Sequence, residues 1–298
     1  MKNSVFLTLF VFFIMGLKLA SYSQQTVLGN PAGMTNSAVP RDGVYDRSAI
    51  NEVPPIPYPY LREADITWTK RIWRFIDLRE KMNQPFYYPV KPDTRSNGRR
   101  SFAQIVLDGL QGVRSEKMSA YLPLDDKYDI PENYESVMDK YRDSTKMPIA
   151  SKEPPYTPII TTIVKNLEAS DVELLRIKED YYFDRQRSVM EVRILGICLY
   201  KMDTTGGIRK PMPLFWIYFP DWRDIFAKEE MFNLKNGVAA RLSYDDVFMK
   251  RIFSSYIMKE ENVYDRQISQ YASGKDALHE AEKAKNNLFD FESNLWEY

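Results

Sequence analysis

LREADITWTKRIWRFIDLREKMN, residues 61–83, is the stretch on which the reading of this chain turns. Projected at about 100° per residue, Ile66, Ile72, Trp73 and Ile76 fall together, with Trp68, Phe75 and Met82 in the arc beside them. That arc covers roughly half the circumference, wider than the stripe of about 100° that packing on a single core needs. Thr69, Arg79 and Glu80 interrupt it, while Lys70, Arg74, Asp77 and Lys81 occupy the opposite side, where water or a charged rim suits them. The spacing predicts a helix. It would begin near Ala64 or Asp65, where Glu63 and Asp65 suit the positive end of the helix dipole, and stop before Pro85. Such a helix either anchors its own core or offers part of its arc to a partner, because Trp and Arg dominate interface hot spots. Trp68, Trp73, Arg74 and Phe75 are therefore candidates for packing or interface.

Upstream, residues 24–60 show little periodicity, and prolines recur at 31, 40, 54, 55, 57 and 59. The segment from Pro54 to Tyr60 favours an extended, polyproline-like shape that is cheap to order on binding. It reads as a flexible linker or as an arm lying across a neighbouring subunit, with Tyr58 and Tyr60 as anchors. Downstream, Phe86 to Pro89 reads as a short strand or extended piece and Asn97-Gly98 as a turn. Ser101 can cap a helix running to Gly109 or Val113, and Glu132 to Tyr141 reads as another helix. Prolines at 148, 154, 155 and 158 mark a candidate boundary, which divides an N-terminal helical half (61–150) from an α+β half (151–270).

The second half contains a helix expected around Ser170 to Asp180. A hairpin follows, formed by Ser188 to Met202 and Met212 to Phe219 around a turn holding Gly206 and Gly207. Strands this long imply at least one more strand, since an isolated hairpin is marginal in water. Helices are expected from about Asp221 and over Tyr244 to Lys259. In the final segment (271–298), Leu278, Ala281, Ala284, Leu288, Phe291 and Leu295 recur at three- and four-residue steps, an amphipathic helix with a narrow seam. Leu288 and Leu295 join the candidate contact residues. Asp65, Ile66 and Lys70 to Trp73 echo in Asp246, Val247 and Lys250 to Phe253, either by chance or by an old duplication. The fold class expected is α+β, with amphipathic helices on a small, mainly antiparallel sheet, an extended N-terminal arm and a C-terminal helix.

Composition bounds the function. The chain has 298 residues, a formal charge of zero and 14% aromatic residues, ample for a real core. Residues 1–23 carry Lys2, an apolar run from Val5 to Leu17 and small residues Ala20, Ser21 and Ser23, the three parts of a secretory signal peptide. Removing Lys2 and Lys18 with it leaves 39 basic against 41 acidic residues, so no charge excess points to nucleic acid. Cleavage after Ser23 leaves a chain with no thiol there for a lipid, so membrane attachment would come through a partner. The one cysteine, Cys198, lies in apolar GICLYK and reads as buried and structural.

No phosphate-binding Gly-rich loop, GxSxG, HExxH or EF-hand spacing occurs, which leaves no cofactor or metal to expect. The sole histidine, His279, falls on the final helix beside Glu280 and Glu282. Adjacent acids at 125–126, 229–230, 245–246 and 260–261 read as solvated or helix-start charges, because neighbours in a helix do not face each other. The competing reading is an exported glycan binder or glycoside hydrolase, with Trp216, Tyr218 and Trp222 as a platform and carboxylates drawn from distant segments.

PPIPYPYLREADITWTKRIWRFIDLREKMNQPFYYP at 54–89 and MPLFWIYFPDWRDIFAKEEMF at 212–232 resemble the GldN family, called PorN in some members. These are components of the type IX secretion and gliding machinery of Bacteroidetes. The resemblance implies a non-enzymatic periplasmic subunit at the inner face of the outer membrane. It implies a ring formed with a GldK/PorK-type lipoprotein, and contact with the periplasmic region of a GldM/PorM-type motor protein. It brings no catalytic residue with it.

Overall fold

Residues 66–77 form a strand. In the computed structural model, which describes residues 54–91, 98–113, 115–123, 126–149, 159–203, 209–232 and 242–295, the expected signature helix is replaced by β1, Ile66–Asp77. The physical reason lies in its last six residues, where five in succession are buried. Ile72, Arg74 and Ile76 face one way and Trp73 and Phe75 the other, both against protein. A strand covered on both faces reads as a continuous apolar run with no visible period of two, which a helical projection also accommodates.

β1 is the second strand from one edge of a seven-stranded sheet. The other six strands of that sheet are β2 (Ala120–Tyr121), β3 (Pro131–Glu132), β6 (Val172–Asp184), β7 (Val189–Asp203), β8 (Lys210–Tyr218) and β9 (Tyr256–Glu260). The order is β3-β2-β8-β7-β6-β1-β9, and every neighbouring pair is antiparallel. β4 (Asp143–Ile149) and β5 (Ile159–Lys165) form a separate two-stranded sheet. The expected hairpin is present as β7 and β8, while its turn at 204–208 lies outside the described residues, as do residues 1–53 with the signal peptide and most of the arm. The helix expected at 170–180 is instead β6, whose Leu175, Ile177, Glu179 and Tyr181 share a face with Ile72, Arg74 and Ile76. Because β1 pairs with β6 along its length, the stretches before and after residue 150 belong to one sheet and one unit.

Among the described residues, seven α-helices accompany the strands: α1 (Gln84–Tyr87), α2 (Phe102–Gln111), α3 (Tyr134–Lys140), α4 (Phe219–Lys228), α5 (Tyr244–Met249), α6 (Ile268–Tyr271) and α7 (Lys275–Asn294). Where an extended piece was expected at 86–89, a turn of helix holds Phe86 in the core and runs into a cis Tyr88-Pro89 bond. The Ser101 hydroxyl accepts from Gln104 N and Gly112 closes α2 with a φ of 78°, as the cap chemistry requires. The helix expected over 244–259 stops at Met249. Arg251 takes a φ of 54°, and the chain re-enters the sheet as β9.

The main core lies between one sheet face and α2, α4 and α5, with Phe86, Phe102, Phe219, Phe226 and Phe248 in mutual ring contact. Complete burial of such a side chain contributes about 1.5–3 kcal/mol before entropic costs. A second cluster sets Ala281, Ala284 and Leu288 of α7 against Ile72, Tyr181 and Ile257. The third, on the opposite sheet face, holds Trp73, Phe75, Cys198, Tyr200, Trp216 and Met258.

Candidate functional site

Arg74 is the residue whose placement differs most from its helical projection. It is 8% exposed, and its Nε donates to Glu179 Oε2 at 3.2 Å while Nη2 donates to the Tyr181 hydroxyl at 2.9 Å. Arg251 approaches the same carboxylate from the turn after α5, with Nη1 and Nη2 at 2.8 and 3.1 Å. Glu179 itself is 0% exposed. One carboxylate thus joins two guanidinia from three elements, and the left-handed backbone at Arg251 aims its side chain there. Strain of this kind persists only where the surroundings hold it. The echo between residues 65–73 and 246–253 is therefore no structural repeat: the first copy is a strand and the second a helix end with a turn.

On the other sheet face, the Trp73 indole donates to Asp126 Oδ2 at 2.7 Å, and Lys259 Nζ stands 4.2 Å from its ring centroid. Lys178 donates to the Asp126 carbonyl and lies 5.1 Å from the Tyr128 ring centroid. Burial pushes the Lys178 pKa below the ordinary lysine range, with Asp126 opposing the shift. Tyr128 adopts a φ of 62° and packs edge-on to Trp216. Only glycine fits beneath it: a Cβ at Gly196 would overlap the Tyr128 hydroxyl and come within 2.8 Å of the Ile217 carbonyl oxygen. Phe75 meets Tyr200 edge-on at 5.2 Å, and Trp68 stacks on Phe291 of α7 at 4.3 Å.

Tyr58 is half-buried against its own domain. Its ring lies between Arg193 and Arg223, with centroid distances of 5.0 and 4.4 Å. The same arginines hold the arm's backbone: Arg223 Nη2 donates to Ile56 O and Arg193 Nη2 to Pro59 O, each at 2.7 Å. Arg223 is fixed in turn by a two-pronged pair with Asp245, at 2.9 and 3.0 Å. Burial raises the Tyr58 pKa above its ordinary value, with Arg223 opposing. Tyr60, two residues on, is 85% exposed. Leu288 is buried under α7 and Leu295 half-buried at its end.

Thus Trp68, Leu288 and Phe291 meet in one place and Trp73 and Phe75 in another, while Arg74 and Tyr58 each occupy a separate polar site. Sequence reasoning missed Glu179, Arg251, Asp126, Arg193 and Arg223. The run of five buried residues in β1 leaves Arg74 in need of a counter-charge, and that need is the signal that could have exposed Glu179.

The groups of the glycan reading are engaged elsewhere. Trp216 and Trp222 are each 1% exposed and cannot offer a face to a sugar. Glu229 and Glu230 pair with Arg100 and Arg99, Asp245 with Arg223, and Glu260 with Lys70. Asp246 caps α5 through Ser243, and Glu261 accepts from Arg71 N. Cys198 is 0% exposed, and burial pushes its thiol pKa up. His279 is exposed on α7. Among the described residues no group of His, Cys, Asp and Glu is arranged to hold a metal ion, and no helix is long and apolar enough to cross a membrane.

No curated protein matches the chain. A family model described as gliding motility associated protein GldN matches residues 61–297, from the start of the signature stretch to the end of α7 and beyond. The chain therefore belongs to the GldN family, and is a component of the gliding-motility and type IX secretion machinery.

Proposed function

We propose that this chain is an exported, non-enzymatic scaffold subunit, held at the periplasmic side of the outer membrane by a GldK/PorK-type lipoprotein with which it forms a ring. The ring meets the periplasmic region of a GldM/PorM-type motor protein and carries load or torque. The observation that carries this reading is the family match over 61–297. Three features of the chain support it. Long paired strands, 12 residues in β1, 13 in β6 and 15 in β7, make a stiff body, and the Arg74–Glu179–Arg251 cluster ties that sheet to the turn after α5. The docked arm leaves Ile56 and Tyr60 exposed, and α7 leaves Leu278 and Phe289 exposed, so both ends carry apolar groups for neighbours. The adjacent acids at 229–230, 245–246 and 260–261 are engaged in ion pairs, a helix cap and a backbone hydrogen bond.

The test is deletion of the chain in its own organism, with complementation. The expected result is loss of type IX cargo from the surface and medium, with cargo retained inside the cell and export restored by the intact gene. Normal cargo export in the deletion strain would overturn the reading.

A further inference from the structure

An open groove of about 590 Å³ lies against the sheet face that carries the third cluster. Phe75, Tyr200 and Met258 form its sheet side, Pro211 and Pro213 of β8 continue it, and Ile257, Ile268 and Leu278 line it where β9, α6 and α7 come together. Its rim is open to solvent: Tyr256 is 43% exposed and Leu278 66%. Gln267 and Ser269 put polar groups along the α6 side.

Among the described residues one cation, Arg176, lines this groove, and its state differs from that of other arginines of the fold. Arg71 grips Asp180, Arg74 and Arg251 grip Glu179, Arg209 grips Glu173 and Arg223 grips Asp245. Arg176 pairs with no carboxylate among the described residues. Its Cζ lies 5.6 Å from the Trp216 ring centroid, and its Nη1 makes a single long contact, 3.3 Å, to the Tyr200 hydroxyl. Its Nε is buried without an acceptor. A guanidinium on an aromatic floor, walled by apolar groups and short of acceptors, is built to receive a carboxylate, since the planar fork and low local dielectric strengthen such a pair.

We propose that this groove docks an extended peptide segment of another protein, in which an Asp or Glu side chain pairs with Arg176 and flanking prolyl, aliphatic or aromatic side chains fill the space against Tyr200, Phe75 and Leu278. Charge complementarity selects the acidic residue, and a proline- and aromatic-lined trough suits a chain that is already extended. The inference goes beyond the scaffold reading and does not depend on it: a peptide groove can serve a protein with or without a ring.

The test selects a phage-displayed library of random 12-residue peptides on the purified protein, then measures synthetic peptides by fluorescence anisotropy. Selected sequences are expected to share an Asp or Glu beside prolyl or apolar residues. Arg176→Gln should raise Kd by about tenfold, on the order expected for one charge-assisted contact, and Leu278→Asp should raise it by a similar factor because it removes an apolar contact and sets a second carboxylate near the peptide's acid. Replacing the peptide's acid by its amide should weaken binding to the wild type similarly, yet add little to the effect of Arg176→Gln. Leu278 is a rim residue, so its variant keeps the fold and decides the question should Arg176→Gln not fold. Failure to select any peptide, selection of peptides without an acid, or acidic peptides indifferent to both variants would overturn the proposal.

Discussion

Glu179→Ala removes the one carboxylate that holds Arg74 and Arg251, and its cost follows from the geometry. Glu179 accepts three hydrogen bonds, at 2.8, 3.1 and 3.2 Å, from two guanidinia and is itself 0% exposed. The Arg251 side chain is 32% exposed and can turn toward water, whereas that of Arg74 is 9% exposed between β6 and β9 and cannot. Deleting one partner of a buried pair leaves an uncompensated charge, which costs about 3–5 kcal/mol. Arg74→Ala should cost nearly as much, because it strips Glu179 of one donor and opens a cavity beside Ile72 and Ile76. The paired replacement Arg74→Met with Glu179→Leu should recover a large part of the loss, since apolar groups of similar volume carry no desolvation cost. Urea unfolding followed by the fluorescence of the five tryptophans measures all three variants, and an unchanged m value shows that they are compared on one two-state scale. In a helix with Arg74 on its wet side, Arg74→Ala would shift stability by less than about 0.5 kcal/mol. A change that small for Arg74→Ala and Glu179→Ala would refute the buried cluster and the β1–β6 register that creates it.

Trp73→Ala should destabilise the fold by about 3–5 kcal/mol, since it empties a buried aromatic site and leaves Asp126 Oδ2 without its indole donor; unchanged melting with loss of partner binding would place Trp73 at an interface. Tyr58→Ala should cost about 1–2 kcal/mol through loss of its contacts with Arg193 and Arg223, and should speed protease cleavage near residues 54–60 without changing cleavage in α7. For pH, the Arg79 side chain holds the Asp77 carboxyl below its ordinary 3.8. A depressed carboxyl contributes stability that is complete above 3.8 and lost as pH falls through the folded-state value. Asp77→Asn should therefore be less stable than the wild type at pH 7, and denaturant midpoints taken in downward pH steps should converge; a constant gap would contradict the pairing.

Where a segment has one dry and one wet side, the sequence made its structure legible. α7 was readable from Ala281, Ala284 and Leu288 at helical steps and α2 from the Ser101 cap, whereas β7 and β8, buried on both faces over 196–200 and 214–217, were readable only because their β-branched and aromatic runs meet near glycines, a turn signal that β1 and β6 lack. Without it, β1 and β6 were not readable, because both their faces are buried. Residues 72–76 show no polar alternation, and the charge that Arg74 brings is answered 105 positions along the chain. β9 was hidden for a different reason: Val247 and Phe248 continue a helical pattern, and only the left-handed backbone of Arg251 ends it. For the candidate site, Trp73 and Tyr58 could be singled out from residue type and proline context. Their partners Asp126, Arg193 and Arg223 could not, because loop and sheet geometry bring them near.

The role we propose for this GldN-family chain is that of a building block in a ring. Its most direct test is the particle mass of the purified protein, alone and mixed with the ectodomain of the GldK/PorK-type lipoprotein of the same organism, by light scattering with native electron microscopy of the same sample. The account predicts large co-assemblies with ring outlines in the mixture, and a chain that remains monomeric in the presence of that lipoprotein would contradict it.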